Sequence, residues 1–241
     1  MSDTVIREVA TGVWTFSRPF NRFGFFPVGG RSTAIKLSSG DVWVLASTPL
    51  NDETKAKLTE LGPVKYIVSP DAEHHFFLAE FHKAYPEAKL IAVENVVNKK
   101  TKEGLKFAGF WADNAREPTF GFEDDIKACY FSGFKKRDVA FFHPASKSLI
   151  EADLVFNLPG TEQYSKSSSS GRIPFISKMN PYSGVAQSMA KGAADDKEAM
   201  KRDAKTVDEW DFERIIPCHG DVIENDGKKA WRAAYKLYLQ S

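Results

Sequence analysis

The residues of this 241-residue chain best suited to chemistry near neutral pH are its five histidines, three of which fall within nine positions, at 74, 75 and 82. Imidazole binds metal ions and moves protons in the physiological range. His143 and His219 stand far along the chain, and each follows a short apolar run. Carboxylates accompany them: Asp71 and Glu73 just before the histidine pair, and Asp153 after the apolar run at 149–150. Imidazole nitrogens with a carboxylate suit zinc, iron or manganese. Asp71 and Glu73 are candidate general bases, or caps for a helix opening near His75. Adjacent helical residues point about 100° apart, so His74 and His75 can share one ion only if that helix begins at or after His75. His82 lies about 10 Å further along the axis and reads as a surface residue. Tyr164, Arg172 and His143 are candidate substrate-binding residues, the first two as donors to a carbonyl or carboxylate. Cys218 reads as a buried, inert thiol.

The elements that must place these groups follow from periodicity. Val64–Val68 is a short β-branched run, a polar loop carries the histidines, and Phe77, Leu78, Phe81 and Ala84 continue at helical spacing as far as Pro86. Residues 89–93 return as a strand, giving strand, helix, strand, the pattern of a parallel sheet with helices outside it. Upstream, 13–16, 33–37 and 42–45 read as strands with a hairpin at Ser38–Asp41, and Asn51 or Asp52 caps a helix that Gly62 ends. Gly29-Gly30 reads as a loop. Downstream, 126–131, 138–142, 148–150 and 212–216 read as strands, 195–210 as a surface helix, and Trp231 to Tyr238 as the last helix. Residues 158–185 lack periodicity and read as a surface loop or a lid over a site. Phe20, Phe23, Phe25, Phe26 and Trp111 are loop aromatics suited to an apolar substrate pocket.

Composition narrows the classes. Hydrophobic residues make up 42% of the chain, enough for a sizeable core. A net charge of +1 argues against nucleic acid or an anionic membrane as partner, and the basic runs at 99–100 and 135–137 read as solvated surface. Two cysteines point to a reducing compartment, and the polar start carries no secretory pattern, so a cytoplasmic location is expected. The expected partner is a small-molecule substrate, with the chain a monomer or homo-oligomer.

The order of these parts resembles the metallo-β-lactamase-like hydrolase superfamily, over nearly the whole chain. Gly12-Val13-Trp14 looks like its opening strands, Ser47-Thr48-Pro49 like its Asp-Thr-Gly turn, 149–156 like the strand before its metal-bridging aspartate, and Ile216 to Gly220 like its Pro-Gly-His-Gly segment. Val68 to Pro70, His74 to Leu78 and Phe141 to Pro144 are similar to a divergent branch of unknown function. The resemblance implies a single-domain α/β fold, an αββα sandwich, usually with one or two metals. It also implies ligands at the positions of His74, His75, Asp153 and His219. The family's His-x-His-x-Asp-His motif falls here on Pro70, Asp71, Ala72, Glu73, His74 and His75, so both histidines of the first metal site are missing. One divalent ion is expected, zinc before iron or manganese.

Three functions stay open. The first is a mononuclear hydrolase, lactonase- or esterase-like, in which Asp153 orients the attacking water or takes its proton. The second is a non-catalytic binding or scaffold protein that kept the fold. The third is an iron-dependent oxidoreductase.

Overall fold

The computed structural model describes residues 2–113, 118–172 and 179–240. In chain order the strands are β1 (Val5–Ala10), β2 (Val13–Arg18), β3 (Asn21–Arg22), β4 (Phe26–Pro27), β5 (Gly30–Lys36), β6 (Val42–Leu45), β7 (Val64–Val68), β8 (Lys89–Val93), β9 (Gly109–Trp111), β10 (Lys127–Tyr130), β11 (Val139–His143), β12 (Ser148–Glu151) and β13 (Arg214–Pro217). The helices are α1 (Asp52–Leu61), α2 (Leu78–Ala84), α3 (Glu94–Lys100), α4 (Gly184–Gly192), α5 (Lys197–Asp208), α6 (Gly227–Ala234) and α7 (Lys236–Leu239).

Two sheets carry the molecule. One runs β1-β2-β5-β6-β7-β8-β9, antiparallel as far as β6 and parallel beyond it; the other runs β10-β11-β12-β13. The helices that join the parallel strands bury Leu58, Leu61, Leu78, Phe81 and Val96 in the main core. The second sheet shows the two-residue alternation of a strand with both faces covered. Val139, Phe141, Ile150 and Ile216 turn to the first sheet, where the Phe141 ring meets Trp43 at 5.0 Å. Ala140, Phe142, Leu149 and Ile215 turn to a second core with Met200, Ala204, Val207 and Trp231. Helix, sheet, sheet, helix is therefore the layer order, as the resemblance implied.

Some local expectations need correction. The helix expected at His75 begins at Leu78, so both histidines stand in the loop before it. Trp111 is a core residue 3% exposed, packed on Phe120 and Phe141, and lines no site. Helix α5 is a surface helix whose thin apolar stripe, Met200, Ala204 and Val207, is fully buried, as its spacing implied. The irregular stretch splits in two. Residues 160–167 pack down through Glu162, Gln163 and Tyr164, and α4 begins at Gly184. The middle of the expected lid, 173–178, lies outside the described residues. Among those described, no helix is long and apolar enough to cross a membrane.

Candidate metal centre

Three chain segments end at one edge of the sandwich. The loop after β7 carries His74, the turn after β12 carries Asp153, and the turn after β13 carries His219. One donor atom from each lies within 4.8 Å of the other two. His74 Nε2 faces His219 Nε2 at 3.2 Å, and His219 Nε2 is 3.3 Å from Asp153 Oδ1. His75 does not join them. Its ring turns to α3, where Lys99 Nζ donates to its Nε2 over 3.2 Å. The helix starts late enough to let both rings share an ion, but the Asp71 turn points only His74 at His219, while Lys99 holds His75 against α3.

That turn is built by one carboxylate. Asp71, fully buried, accepts through Oδ1 from the Glu73 and His74 amides at 2.9 and 2.7 Å and from His74 Nδ1 at 2.8 Å. Asp71 is thus a positioning residue under His74 and not a general base facing the cleft. His219 is fixed as firmly. Its Nδ1 donates to the Gly29 carbonyl at 2.6 Å, and its ring stacks between Phe20 and Phe156 at 6.1 and 5.3 Å. The loop around it hangs on Arg31, a fully buried guanidinium that donates to the carbonyls of Pro217 and Gly220 at 2.6 and 2.7 Å. Gln163 adds a bond from Nε2 to the Cys218 carbonyl and accepts from the Gly220 amide. Gly29 sits at φ +71°, and a Cβ there would fall 1.8 Å from Gln163 Oε1.

Proton accounting decides what this geometry fits. Both Nδ1 atoms must carry hydrogen, because each faces an acceptor-only oxygen. Both Nε2 atoms of the neutral rings are therefore bare lone pairs, and they face each other and Asp153 Oδ1, a buried oxygen with no hydrogen-bond donor. Three lone pairs converging in a buried place need a cation among them. With a proton in that role the pair divides unequally. Burial opposes charge on His74, but Asp71 and then Asp153 and Asp138 raise it to about 9. Burial, helped by His74, takes His219 down to about 4. Burial alone would raise the Asp153 carboxyl; His74, His219 and Lys136 outweigh it and hold it well below the usual carboxylate range. The donor set fits a divalent ion, with His74, His219 and Asp153 as its ligands.

Sequence reasoning missed the cations next to this set. Lys136, read as solvated surface, sends its ammonium to Asp153 Oδ2 and to Glu73 Oε2, the latter at 2.9 Å. Arg22 reaches the same two carboxylates, at 2.5 Å to Glu73 and 3.8 Å to Asp153. Glu73, a candidate base, is thus held in two ion pairs. No spacing in the sequence marks Lys136; the Ala72 amide, donating to the Lys136 carbonyl at 2.9 Å, joins the Lys136–Glu73 ion pair in bringing the two loops together.

A cleft of about 880 Å³ opens beside His74 and His219, walled by Phe20, Phe23, Phe76 and Phe77. Phe25 and Phe26 lie outside it, at the end of the β3–β4 hairpin. The other candidate substrate residues do not reach it. Tyr164 is a strut 4% exposed, its hydroxyl 2.7 Å from both the Phe20 carbonyl and Asn21 Oδ1. His143 is buried at the β11 turn with Nδ1 2.8 Å from Ser146 Oγ, and Arg172 is exposed elsewhere on the surface. Cys218 is buried, with burial pushing its thiol pKa up, and it supplies no ligand.

Comparison with known proteins agrees with this architecture. Residues 11–165 match the family model described as a domain of unknown function, DUF4336. No curated protein matches the chain. Among solved structures, the metallo-β-lactamase from Pontibacter korlensis superposes over 99% of this chain and all of its own, with a TM-score of 0.63 and 13% identity. The enzyme from Erythrobacter litoralis covers 100% of this chain and 98% of its own, at 0.63 and 15%. FIM-1 from Pseudomonas aeruginosa, in its mono-zinc form, covers 99% and 97%, at 0.60 and 14%. At such identities the likeness establishes a metallo-β-lactamase fold.

Proposed function

Because the chain belongs to DUF4336, a family of domains of unknown function, its activity has to be read from its own site, and we propose a hydrolase working with one divalent ion. Its substrate is a small molecule with an ester, lactone or related acyl bond. The observation that carries this reading is the convergence of three atoms able to ligate, His74 Nε2, His219 Nε2 and Asp153 Oδ1, the two imidazoles lining an aromatic cleft and Asp153 buried behind them. When bound there, a divalent ion supplies a Lewis acid and lowers the pKa of water to near neutrality.

The chain's own groups do the rest. Phe20, Phe23, Phe76 and Phe77 hold the apolar part of the substrate and exclude water. Asp153, held by Lys136 on Oδ2, turns Oδ1 towards His74 and His219, where it would help hold the ion and orient the attacking water. Arg22, which lines the cleft, puts fixed positive charge within reach of a carbonyl oxygen that turns negative. Two imidazoles and a carboxylate suit zinc first, with iron and manganese as the other choices. The two cysteines, both buried and neither in a disulfide, suit a cytoplasmic setting.

The test is elemental analysis with hydrolysis assays. Purified protein is expected to hold about one equivalent of zinc and to open aryl esters or lactones. His219→Ala is expected to lower zinc affinity by more than ~100-fold, beyond the loss usual for an outer partner, and to abolish turnover. Protein that takes up no zinc, iron or manganese from excess metal would refute the proposal. A second reading rests on the Lys136–Asp153 pair, which neutralises the aspartate without any ion. It makes the chain a non-catalytic binding protein, and metal-free protein that still binds small aromatic acyl compounds would select it.

A further inference from the structure

We infer that Lys136 is the site's built-in second cation, seated on the Asp153 oxygen that faces away from the two imidazoles, and that it limits the site to a single divalent ion. The inference rests on the metal reading above. Asp153 is 1% exposed at its side chain, and its two oxygens have different surroundings. Oδ1 looks to His74 and His219 and has no donor. Oδ2 is taken by the Lys136 ammonium, with Arg22 Nη1 3.8 Å away. A carboxylate can bridge two cations, one on each oxygen; here one of those places belongs to the protein itself.

The arrangement is closed on that side. Lys136 and Arg22 each reach both Asp153 and Glu73, so two cations meet two carboxylates. An ammonium has three donors and no lone pair, so it can occupy a cation's place but cannot ligate a metal. A second divalent ion would need Asp153 Oδ2 and Glu73 as donors, and would meet Lys136 and Arg22 at contact distance. Lys136 is held there by its backbone, through the Ala72 amide, as well as by its charge.

The test uses the full chain with Lys136→Met, Lys136→Arg and Lys136→His. Equilibrium dialysis against zinc gives stoichiometry, competition with a chromophoric chelator gives affinity, and thermal melts report folding. Wild type and Lys136→Arg are expected to bind one zinc with similar affinity. Folded Lys136→Met should bind its zinc about tenfold more tightly, since a cation competing for Asp153 has gone. Lys136→His, which offers an imidazole beside two carboxylates that then share only Arg22, should take up a second equivalent. Two equivalents in wild type, or unchanged or weaker zinc in folded Lys136→Met, would overturn the inference; the latter is what a lysine with only a structural role gives. If Lys136→Met does not fold, one equivalent in Lys136→His overturns it instead. Zinc uptake by Lys136→Met but not by wild type would uphold Lys136 as the resident cation while ending the hydrolase reading. No uptake by any variant ends both.

Discussion

Asp71 shows how one buried carboxylate chooses between two neighbouring histidines. Its Oδ1 collects two backbone amides and the His74 imidazole, which fixes the ring's hydrogen on Nδ1 and bares Nε2. Asp71→Asn keeps an accepting amide oxygen but loses the charge, so zinc affinity is expected to fall about tenfold, the low end for such a partner. Chelator competition on the folded variant measures it, and unchanged affinity would separate Asp71 from the site. His74, Asp153 and His219 were legible in the sequence as residue types at segment ends. The choice of His74 over His75 was not, because it depends on the turn that Asp71 Oδ1 closes, and periodicity does not encode such a turn. Lys136 and Arg22 were not legible either. Their partners lie 17 and 51 positions away or further, a separation no local pattern encodes.

Most strands and the helices α1, α2, α5 and α6 were readable because each carries a strong period, and β6, β7 and β8 have the expected bounds, whereas β1, the β3–β4 hairpin, α3 and α4 were not read. Loops were harder, since their shape comes from contacts such as those of Gln163. Gly29 and Gly24 share positive φ, at +71° and +80°, but a Cβ at Gly24 meets nothing within 4 Å whereas one at Gly29 strikes Gln163. Gly24→Ala is expected to cost only the left-handed penalty, about 1–2 kcal/mol. Gly29→Ala should cost about 1–3 kcal/mol more through overpacking and should weaken zinc by disturbing the His219 acceptor. Paired denaturant titrations give the difference, and equal losses would remove Gln163 from the argument. His143 belongs to this scale too. Burial lowers its pKa below 6.5, more than Asp125 raises it. The unfolded chain then binds the proton first, so this residue's contribution is full above the unfolded value of about 6.5 and is lost as pH falls through it. His143→Gln should accordingly lose less stability than wild type between pH 7.5 and 5.5, and an equal or steeper loss would reverse the sign.

At the scale of the whole molecule, the site is stitched from segments that are neighbours only once both sheets have met. Arg31 on β5 binds carbonyls 186 and 189 positions later, and Gly29 receives His219 across 190. Loop closure over such distances comes late on any folding route, because its entropy must be met before the contacts can form. During synthesis, then, a ribosome-bound chain that has exposed β7 and β12 but not yet released β13 already displays His74 and Asp153 with no third donor and no guanidinium clamp. The three-atom cluster of His74, Asp153 and His219 is therefore complete only once translation has passed Gly220, which makes it one of the last features the growing polypeptide can assemble.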